Sequence, residues 1–207
     1  MFIEYKAVPP FYKNGYLIWF EPSLDGILID PGDEAEILLE IVERKSLSIK
    51  YILLTHAHID HISGVSKAKS KTKAPIVLHP DDLKLYNTVK IQGELFNYPI
   101  ETPPKVDAFF LDNQIITIAD HQIKVIHTPG HSPGGVCFLI ENNLFCGDTL
   151  FEGSIGRTDL PGGDFQKLIE SIKTKLLVLP DDTIVYSGHG PATTIGKEKK
   201  DNPFLIE

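Results

Sequence analysis

The sequence predicts an α+β fold in which two β-sheets pack face to face and helices cover their outer faces. Short apolar runs bounded by turn residues fall into two groups along the chain, which is typical of two sheets. Segments with a one-sided apolar stripe lie near both ends of the chain, and we expect them to form the covering helices. The 207 residues are 42% hydrophobic and 23% charged, a composition that favours one domain, residues 1–207, with a substantial core.

The first group of strands alternates with helices. Pro31 and Gly32 end its second strand, since proline and glycine punctuate regular structure. Residues 34–45 place four aliphatic side chains on one stripe, which indicates an amphipathic helix lying on a sheet. The predicted elements are strands at Tyr16–Phe20 and Gly26–Asp30, the helix at 34–45, a buried strand at Ile49–Leu54, a helix at 61–70 and a strand at Ile76–Leu78.

The second group of strands follows a long segment, residues 87–107, which the prolines within it predict to be irregular. A loop of that length is usually functional, so we expect it to recognise substrate through Phe96 and Tyr98. Asp164 is a natural N-cap for a helix with one apolar face. The predicted strands are Phe109–Leu111, Ile115–Ile118, Ile123–Thr128, a hairpin over 136–147 and Thr183–Tyr186.

Charge and cysteine content exclude several classes of protein. A net charge of −8 argues against nucleic acid as a partner and against an anionic membrane surface. Glu4 and Lys6 interrupt any apolar stretch at the N-terminus, and no run approaches the roughly 18 apolar residues of a membrane span, so we expect a cytoplasmic protein. Cys137 and Cys146 lie on the two arms of the predicted hairpin and are expected to be reduced core residues.

The most informative motif is Thr55-His56-Ala57-His58-Ile59-Asp60-His61, directly after a buried strand. Alternate side chains of an extended segment point the same way, so His56 and His58 can reach one metal ion. Where the chain turns into a helix, Asp60 and His61 point elsewhere and can serve a second ion nearby. Neutral imidazole is the commonest metal ligand in proteins, and the motif therefore predicts a metal site.

Three further polar residues share one setting: each follows an apolar run and is flanked by glycine. They are His131, Asp148 and His189. Glycine allows the backbone to approach a metal cluster closely. We therefore predict that all three are additional metal ligands, since a dinuclear site needs more than the four donors of the first motif.

With these residues the chain resembles the metallo-β-lactamase superfamily, and the resemblance covers about Gly15 to Leu205. It implies a four-layer αββα sandwich. It also implies that His56, His58 and His131 bind one divalent ion, that Asp60, His61 and His189 bind the other, and that Asp148 bridges the two. Zinc is the first expectation for both ions. Iron and manganese are alternatives, because the predicted ligands include no cysteine to favour zinc.

Within that superfamily the chain is most similar to glyoxalase II, the hydroxyacylglutathione hydrolases. The similarity lies in GDTLFEGSIGRTDLPGGD (147–164) and GHGPATTIGKEKKDNPFL (188–205). It implies hydrolysis of a 2-hydroxyacyl thioester such as S-lactoylglutathione by a hydroxide that bridges the two metal ions, with Asp60 accepting or relaying its proton. Longer glyoxalase II enzymes use a C-terminal helical domain to hold glutathione, and this chain stops at Glu207. The resemblance therefore does not decide whether the thiol of the substrate is glutathione.

Two further activities of the same superfamily stay open. A persulfide dioxygenase would hold one iron on His56, His131 and Asp148, with open positions for oxygen. A lactonase is the second, whereas a β-lactamase is less favoured because His61 stands where many of those enzymes have no metal ligand. We expect a small-molecule substrate and leave a homo-oligomer open.

The remaining histidines have ordinary interpretations. His79 is expected to end a strand, His121 to lie in a turn, and His127 to support the site rather than bind metal. Asp30 either orients a ligand imidazole or simply forms a turn. Arg157 and Asp159 either pair with each other or face the substrate, and the sequence does not decide between these roles.

Overall fold

A computed structural model describes residues 1–206. The chain divides into two compact units: Met1–Phe110 with Ile118–Asp120, and Leu111–Thr117 with His121 onward. Each unit is built around one six-stranded sheet. The prediction of two sheets accompanied by helices is thereby confirmed.

The first sheet has strands in the order β1 to β6. Strands β1, β2 and β3 are antiparallel neighbours, and β3 to β6 run parallel. Parallel neighbours need crossover connections, which the intervening helices provide. The strands are β1 (Phe2–Val8), β2 (Lys13–Phe20), β3 (Asp25–Ile29), β4 (Ser48–Leu53), β5 (Ile76–Leu78) and β6 (Ala108–Phe109).

The helices of the first unit follow the strands that they connect. Leu38 and Leu39 of the first helix lie in one core cluster with Leu17 and Leu28 of the sheet. The helices are α1 (Ala35–Lys45), α2 (Ile59–Ile62), α3 (Val65–Thr72), α4 (Leu83–Asn87) and α5 (Val89–Leu95), with a 3₁₀ turn at Pro80–Asp82. Because β3 and β4 are parallel neighbours, their carboxyl ends meet at one edge, which places Asp30 beside the Thr55–His61 motif.

The second sheet has the order β14-β13-β10-β9-β8-β7, with β10 and β13 parallel and the other assigned pairs antiparallel. Its core packs helical Leu168 and Ile172 against Ile126 and Leu144. Its strands are β7 (Ile115–Ile118), β8 (His121–His127), β9 (Val136–Ile140), β10 (Asn143–Gly147), β13 (Ile184–Ser187) and β14 (Thr193–Thr194). A separate hairpin is formed by β11 (Leu150–Phe151) and β12 (Ser154–Ile155). The helices are α6 (Phe165–Ser171), continued by a π-helical turn at Ile172–Leu176, and α7 (Ile195–Asp201).

Cys137 and Cys146 occupy the two arms of the β9–β10 hairpin as free thiols, as predicted, and both are buried. Burial raises the pKa of Cys137 to about 11, because the thiolate would lose its hydration. Among residues 1–206, no helix has both the length and the apolar character needed to cross a membrane.

Two sequence predictions of secondary structure need correction here. The segment 87–107 is not irregular throughout, because α5 occupies Val89–Leu95. The helix predicted at 61–70 is two helices, α2 and α3, which meet at Gly64. A Cβ on Gly64 would lie 2.1 Å from the carbonyl oxygen of Gly32, so only glycine permits this approach.

Among the elements that the sequence did not predict, strand β1 and helix α7 both carry charged residues. Strand β1 carries Glu4 and Lys6 and borders the sheet, where charged side chains stay in water. Helix α7 has the sequence IGKEKKD, which shows little apolar periodicity. Its N-cap Thr194, which accepts a hydrogen bond from the Lys197 amide, was the available local signal.

Candidate metal centre

The His-rich motif of the first unit runs from just after β4 into helix α2, which contains Asp60 and His61. His56, His58 and His61 are all buried, and the His56 and His58 rings are nearly perpendicular with centroids 4.8 Å apart. The His61 ring lies 4.0 Å from that of His56. The Asp60 carboxylate approaches His61 Nε2 at 3.7 Å. The structure therefore brings the four predicted ligands of this motif close together.

The contacts of Asp30 favour the first of its two predicted roles, which is to orient ligand imidazoles. It follows β3 with a left-handed backbone (φ 49°), and its carboxylate is buried. Oδ1 accepts a hydrogen bond from the Thr55 amide at 2.7 Å, and Oδ2 accepts one from the Thr55 hydroxyl at 2.5 Å. Asp30 therefore holds the start of the motif at two points.

The same carboxylate also orients the imidazoles. His61 Nδ1 lies 2.9 Å from Asp30 Oδ2, and His56 Nδ1 lies 3.0 Å from the Thr55 hydroxyl oxygen. When Nδ1 donates to an oxygen, the neutral ring carries its lone pair on Nε2, which is the arrangement found in metal-ligating histidines. Ligand atoms of Asp30, His56 and His61 lie within 4.8 Å of one another.

Two residues that sequence reasoning missed hold the backbone of the motif. Asp82, which is fully buried, accepts a hydrogen bond from the Ala57 amide at 2.9 Å. Gln92 of α5 accepts from the Ile59 amide at 2.9 Å and donates to the Ala57 carbonyl at 3.1 Å. Because both residues come from later segments of the chain, no local pattern in the sequence identifies them.

The second unit gathers the other three predicted ligands. His131 Nδ1 lies 2.7 Å from the carbonyl oxygen of Arg157, which again leaves Nε2 to carry the lone pair. His131 Nε2 lies 3.6 Å from Asp148 Oδ2, and His189 Nε2 lies 3.7 Å from the same oxygen. Two imidazoles thus converge on one carboxylate, each beyond direct hydrogen-bond distance.

Glycine makes this convergence sterically feasible. Gly147, with φ 49°, ends β10 immediately before Asp148. A Cβ on Gly156 would lie 1.9 Å from the Asp148 carbonyl oxygen and 3.2 Å from His131 Cβ. The backbone at Gly156, directly after β12, is therefore in close contact with Asp148 and His131.

Gly156→Ala is expected to displace Asp148 and His131. We expect a loss of metal affinity of about 10- to 100-fold, the range typical of residues that orient metal ligands. Gly153→Ala is the control for backbone strain without a steric clash, because Gly153 has φ +65°, which a side chain strains, but a Cβ added there would meet no atom within 4 Å. Zinc affinity measured by chelator competition checks the prediction, and equal affinities for the two variants would contradict it.

A cavity of about 480 Å³ opens beside Asp148 and His189. Phe151, Ile155 and Pro191 supply apolar surface, and Arg157 lies at its wall. Arg157 forms a two-point ion pair with Asp159, with distances of 2.7 and 2.6 Å. The guanidinium lowers the pKa of Asp159 to about 2, so the structure favours the local ion pair among the roles left open by the sequence.

The other residues singled out by sequence have structural partners. His79 follows β5, and its side chain accepts a hydrogen bond from the Asp81 amide. His127 Nε2 lies 3.0 Å from the Pro133 carbonyl oxygen and so supports the loop that carries His131. His121 begins β8 instead of lying in a turn, with Nδ1 3.0 Å from Glu141 Oε1.

Tyr98 is held within the first unit. Its hydroxyl donates to Asp33 and its ring lies 5.2 Å from that of Phe11. Burial, followed by the Asp33 hydrogen bond, raises the pKa of Tyr98 to about 12. Phe96 is 43% exposed and meets Phe11 edge to face. Tyr98 therefore has a structural role, and substrate recognition by these two residues stays a prediction.

The donor chemistry of both units fits divalent transition metals. Each unit presents imidazole nitrogens together with carboxylate oxygens, and no cysteine lies among the predicted ligands. Imidazole suits zinc and iron, and carboxylates suit manganese as well. These side chains therefore form candidate metal-binding groups.

Comparison with known proteins agrees with this chemistry. The family model of the metallo-β-lactamase superfamily matches residues 8–189. The hydroxyacylglutathione hydrolase GloC of Haemophilus influenzae is 40% identical over 214 aligned residues, which cover 99% of this chain and 98% of GloC.

Two solved structures are similar over nearly the whole chain. The crystal structure of BLEG-1, described as a B3 metallo-β-lactamase, has a TM-score of 0.92 and 40% identity and covers 100% of both chains. TTHA1623, solved in a di-iron-bound form, has a TM-score of 0.88 and 40% identity and covers 98% of this chain and 100% of its own. The fold and the motifs together establish that the chain belongs to the metallo-β-lactamase superfamily of metallo-hydrolases.

Proposed function

We propose that this protein is a dinuclear metal-dependent thioesterase of glyoxalase II type. In this proposal His56, His58 and His131 hold one divalent ion, Asp60, His61 and His189 hold the other, and Asp148 bridges them. The observation that carries it is the convergence of His131 and His189 on the Asp148 carboxylate, at 3.6 and 3.7 Å. The orientation of His61 by Asp30 supports it from the other unit.

The bound ions would supply a water of lowered pKa and a Lewis acid for the substrate carbonyl. The protein contributes orientation and proton handling. Asp60 has a side chain only 14% exposed, and it is the carboxylate of the first motif that we assign to accept or relay the proton of the attacking water. A thiolate leaving group has a conjugate acid of pKa about 8.5, so it departs without a separate general acid.

The substrate class proposed is a 2-hydroxyacyl thioester such as S-lactoylglutathione. Support comes from the 40% identity to GloC, which is named a hydroxyacylglutathione hydrolase. The cavity beside Asp148 and His189 offers apolar surface next to an arginine. We propose zinc as the first metal, with iron the alternative because TTHA1623 was solved with two irons. We also propose a cytoplasmic location, supported by two buried cysteines that are free thiols.

A second candidate is β-lactam hydrolysis, favoured by the similarity to BLEG-1. An amide nitrogen leaves far less readily than a thiolate and usually requires protonation. Lactone hydrolysis and persulfide oxidation complete the set of activities that the assay has to separate.

The test is one substrate panel assayed on one protein preparation of known metal content. The panel contains S-lactoylglutathione, the same acyl group on a different thiol, a lactone, a β-lactam, and glutathione persulfide in an oxygen electrode. We expect thioester cleavage with the highest kcat/KM and about two ions per chain. Active protein with fewer than about 1.5 ions would contradict the dinuclear mechanism. Oxygen uptake without thioester cleavage would replace the proposal by a dioxygenase.

A further inference from the structure

A buried ion pair lies next to the metal-binding motif of the first unit. Lys13 Nζ is 2.8 Å from Glu34 Oε1, and both side chains are 1% exposed. Lys13 is among the largest fully buried side chains of the described chain. Removing two charges from water offsets most of their mutual attraction, so such a pair is weak evidence of stabilisation. Its contacts therefore need a separate explanation.

Both members of the pair bind the turn that follows β3. Lys13 Nζ donates a hydrogen bond to the carbonyl oxygen of Asp30. Glu34 Oε1 accepts a hydrogen bond from the Gly32 amide at 2.8 Å. The Asp30 amide itself donates to the Leu53 carbonyl at 3.0 Å. The backbone of the turn Asp30–Gly32 is thus held from one side by the ion pair and by β4.

The opposite side of this turn contacts the predicted ligands. The Asp30 side chain binds Thr55 and His61. A Cβ on Gly32 would lie 2.2 Å from the Asp60 carbonyl oxygen, so the turn and the peptide of that ligand are in direct contact. Gly64, just after α2, donates to the Pro31 carbonyl at 3.1 Å. A shift of the turn therefore moves Asp30 and removes the support of Asp60.

Asp30 has a less common backbone conformation. Its φ of 49° lies in the left-handed region, which most residues with a Cβ rarely adopt, although aspartate tolerates it better than most. A charge-assisted hydrogen bond to the carbonyl of Asp30 fixes the peptide plane in this conformation. The Asp30 carboxylate is then presented toward Thr55 and His61.

We propose that Lys13 and Glu34 are positioning residues for the metal centre, acting through the Asp30 turn on His61 and Asp60. The inference rests on the proposed function, because it assigns the pair a role toward the ions held there. Neither residue is assigned as a ligand or as a group that contacts substrate.

The variant that tests this is Lys13→Met/Glu34→Gln. It removes both buried charges of the pair, and the glutamine oxygen can still accept from the Gly32 amide. We expect thermal unfolding of the metal-free variant close to wild type. We also expect binding of one of two Co²⁺ ions to weaken about 10- to 100-fold, with a changed cobalt absorption spectrum, as for other residues that orient ligands.

The control is Lys69→Met/Asp107→Asn, which removes a more exposed lysine–aspartate pair with a 2.7 Å contact in the same unit, away from the motif. We expect its cobalt affinity and spectrum to equal wild type. Should the first double variant fail to fold, Glu34→Asp carries the test, because it keeps both charges of the pair but draws the carboxylate away from the Gly32 amide. A several-fold loss of affinity is expected.

Wild-type affinity and spectrum in a folded Lys13→Met/Glu34→Gln protein would overturn the inference. The cobalt titration needs no substrate, so the outcomes for the two proposals are distinct. Wild-type protein that binds two ions but cleaves no thioester would contradict the proposed reaction alone. Wild-type protein that binds no second ion would overturn both.

Discussion

Asp148→Asn is expected to abolish tight binding of at least one metal ion and to reduce kcat/KM by about 10³-fold or more. The carboxylate lies between His131 and His189, whose Nε2 atoms approach one of its oxygens at 3.6 and 3.7 Å. Asparagine keeps the size of the side chain but removes the negative charge that faces the two proposed ions. A loss of about 4 kcal/mol, comparable to removing one partner of a buried charge pair, corresponds to roughly 10³ in rate.

Metal content by mass spectrometry and thioester kinetics on the same sample measure both effects. Asp159→Asn is the control, because Asp159 is an exposed carboxylate in the same part of the chain and pairs with Arg157. It is expected to retain two ions per chain. An Asp148→Asn protein with two tightly bound ions and full activity would exclude the bridging role.

Asp30→Asn is expected to lower both metal affinity and stability, although no ligand is removed. Asparagine tolerates the left-handed backbone at this position, so the substitution isolates the loss of the carboxylate. Its single oxygen can still accept from the Thr55 amide. Its NH₂ group, however, replaces the oxygen that now accepts from the Thr55 hydroxyl and His61 Nδ1. His61 is then driven to the tautomer that protonates Nε2, which cannot bind metal.

We expect an affinity about 10- to 100-fold weaker for one ion. The free energy of unfolding should fall by about 1–3 kcal/mol, the usual result of leaving a buried polar group unsatisfied. Chelator competition measures the first effect, and urea unfolding of the metal-free protein measures the second. Asp33→Asn is the control within the same turn, since Asp33 binds Ser63 and Tyr98 rather than a ligand. Equal metal affinities for Asp30→Asn and Asp33→Asn would contradict the orienting role of Asp30.

Much of the fold could be predicted because its central strands are continuous apolar runs. Strand β2 is buried along its whole length, and its run YLIWF identifies it without any tertiary information. Elements without such a run could not be predicted: β1 carries charges on a sheet edge, and α7 is mostly polar. Helix α5 lies in a segment predicted to be irregular, because nearby prolines dominate the local signal.

In the candidate site, too, features set by local sequence could be predicted and features set by long-range contacts could not. His56 and His58 could be assigned together because an extended backbone places alternate side chains on one side, a property of local geometry. Asp82 and Gln92 could not be found, since each acts on the backbone of a distant segment. The hydrogen bond of Tyr98 to Asp33 is also a long-range contact, 65 residues apart in the chain.

The sequence by itself identified the superfamily and the two-sheet α+β class, and it predicts seven metal ligands, because ligand chemistry resides in residue type and short spacing. Only the tertiary structure showed that Asp30 orients His61, that Arg157 pairs with Asp159, and that His131 and His189 converge on Asp148. It also revealed the buried Lys13–Glu34 pair. Hydrogen bonds and ion pairs between distant segments depend on where the chain returns in space, and no local pattern of side chains encodes that position.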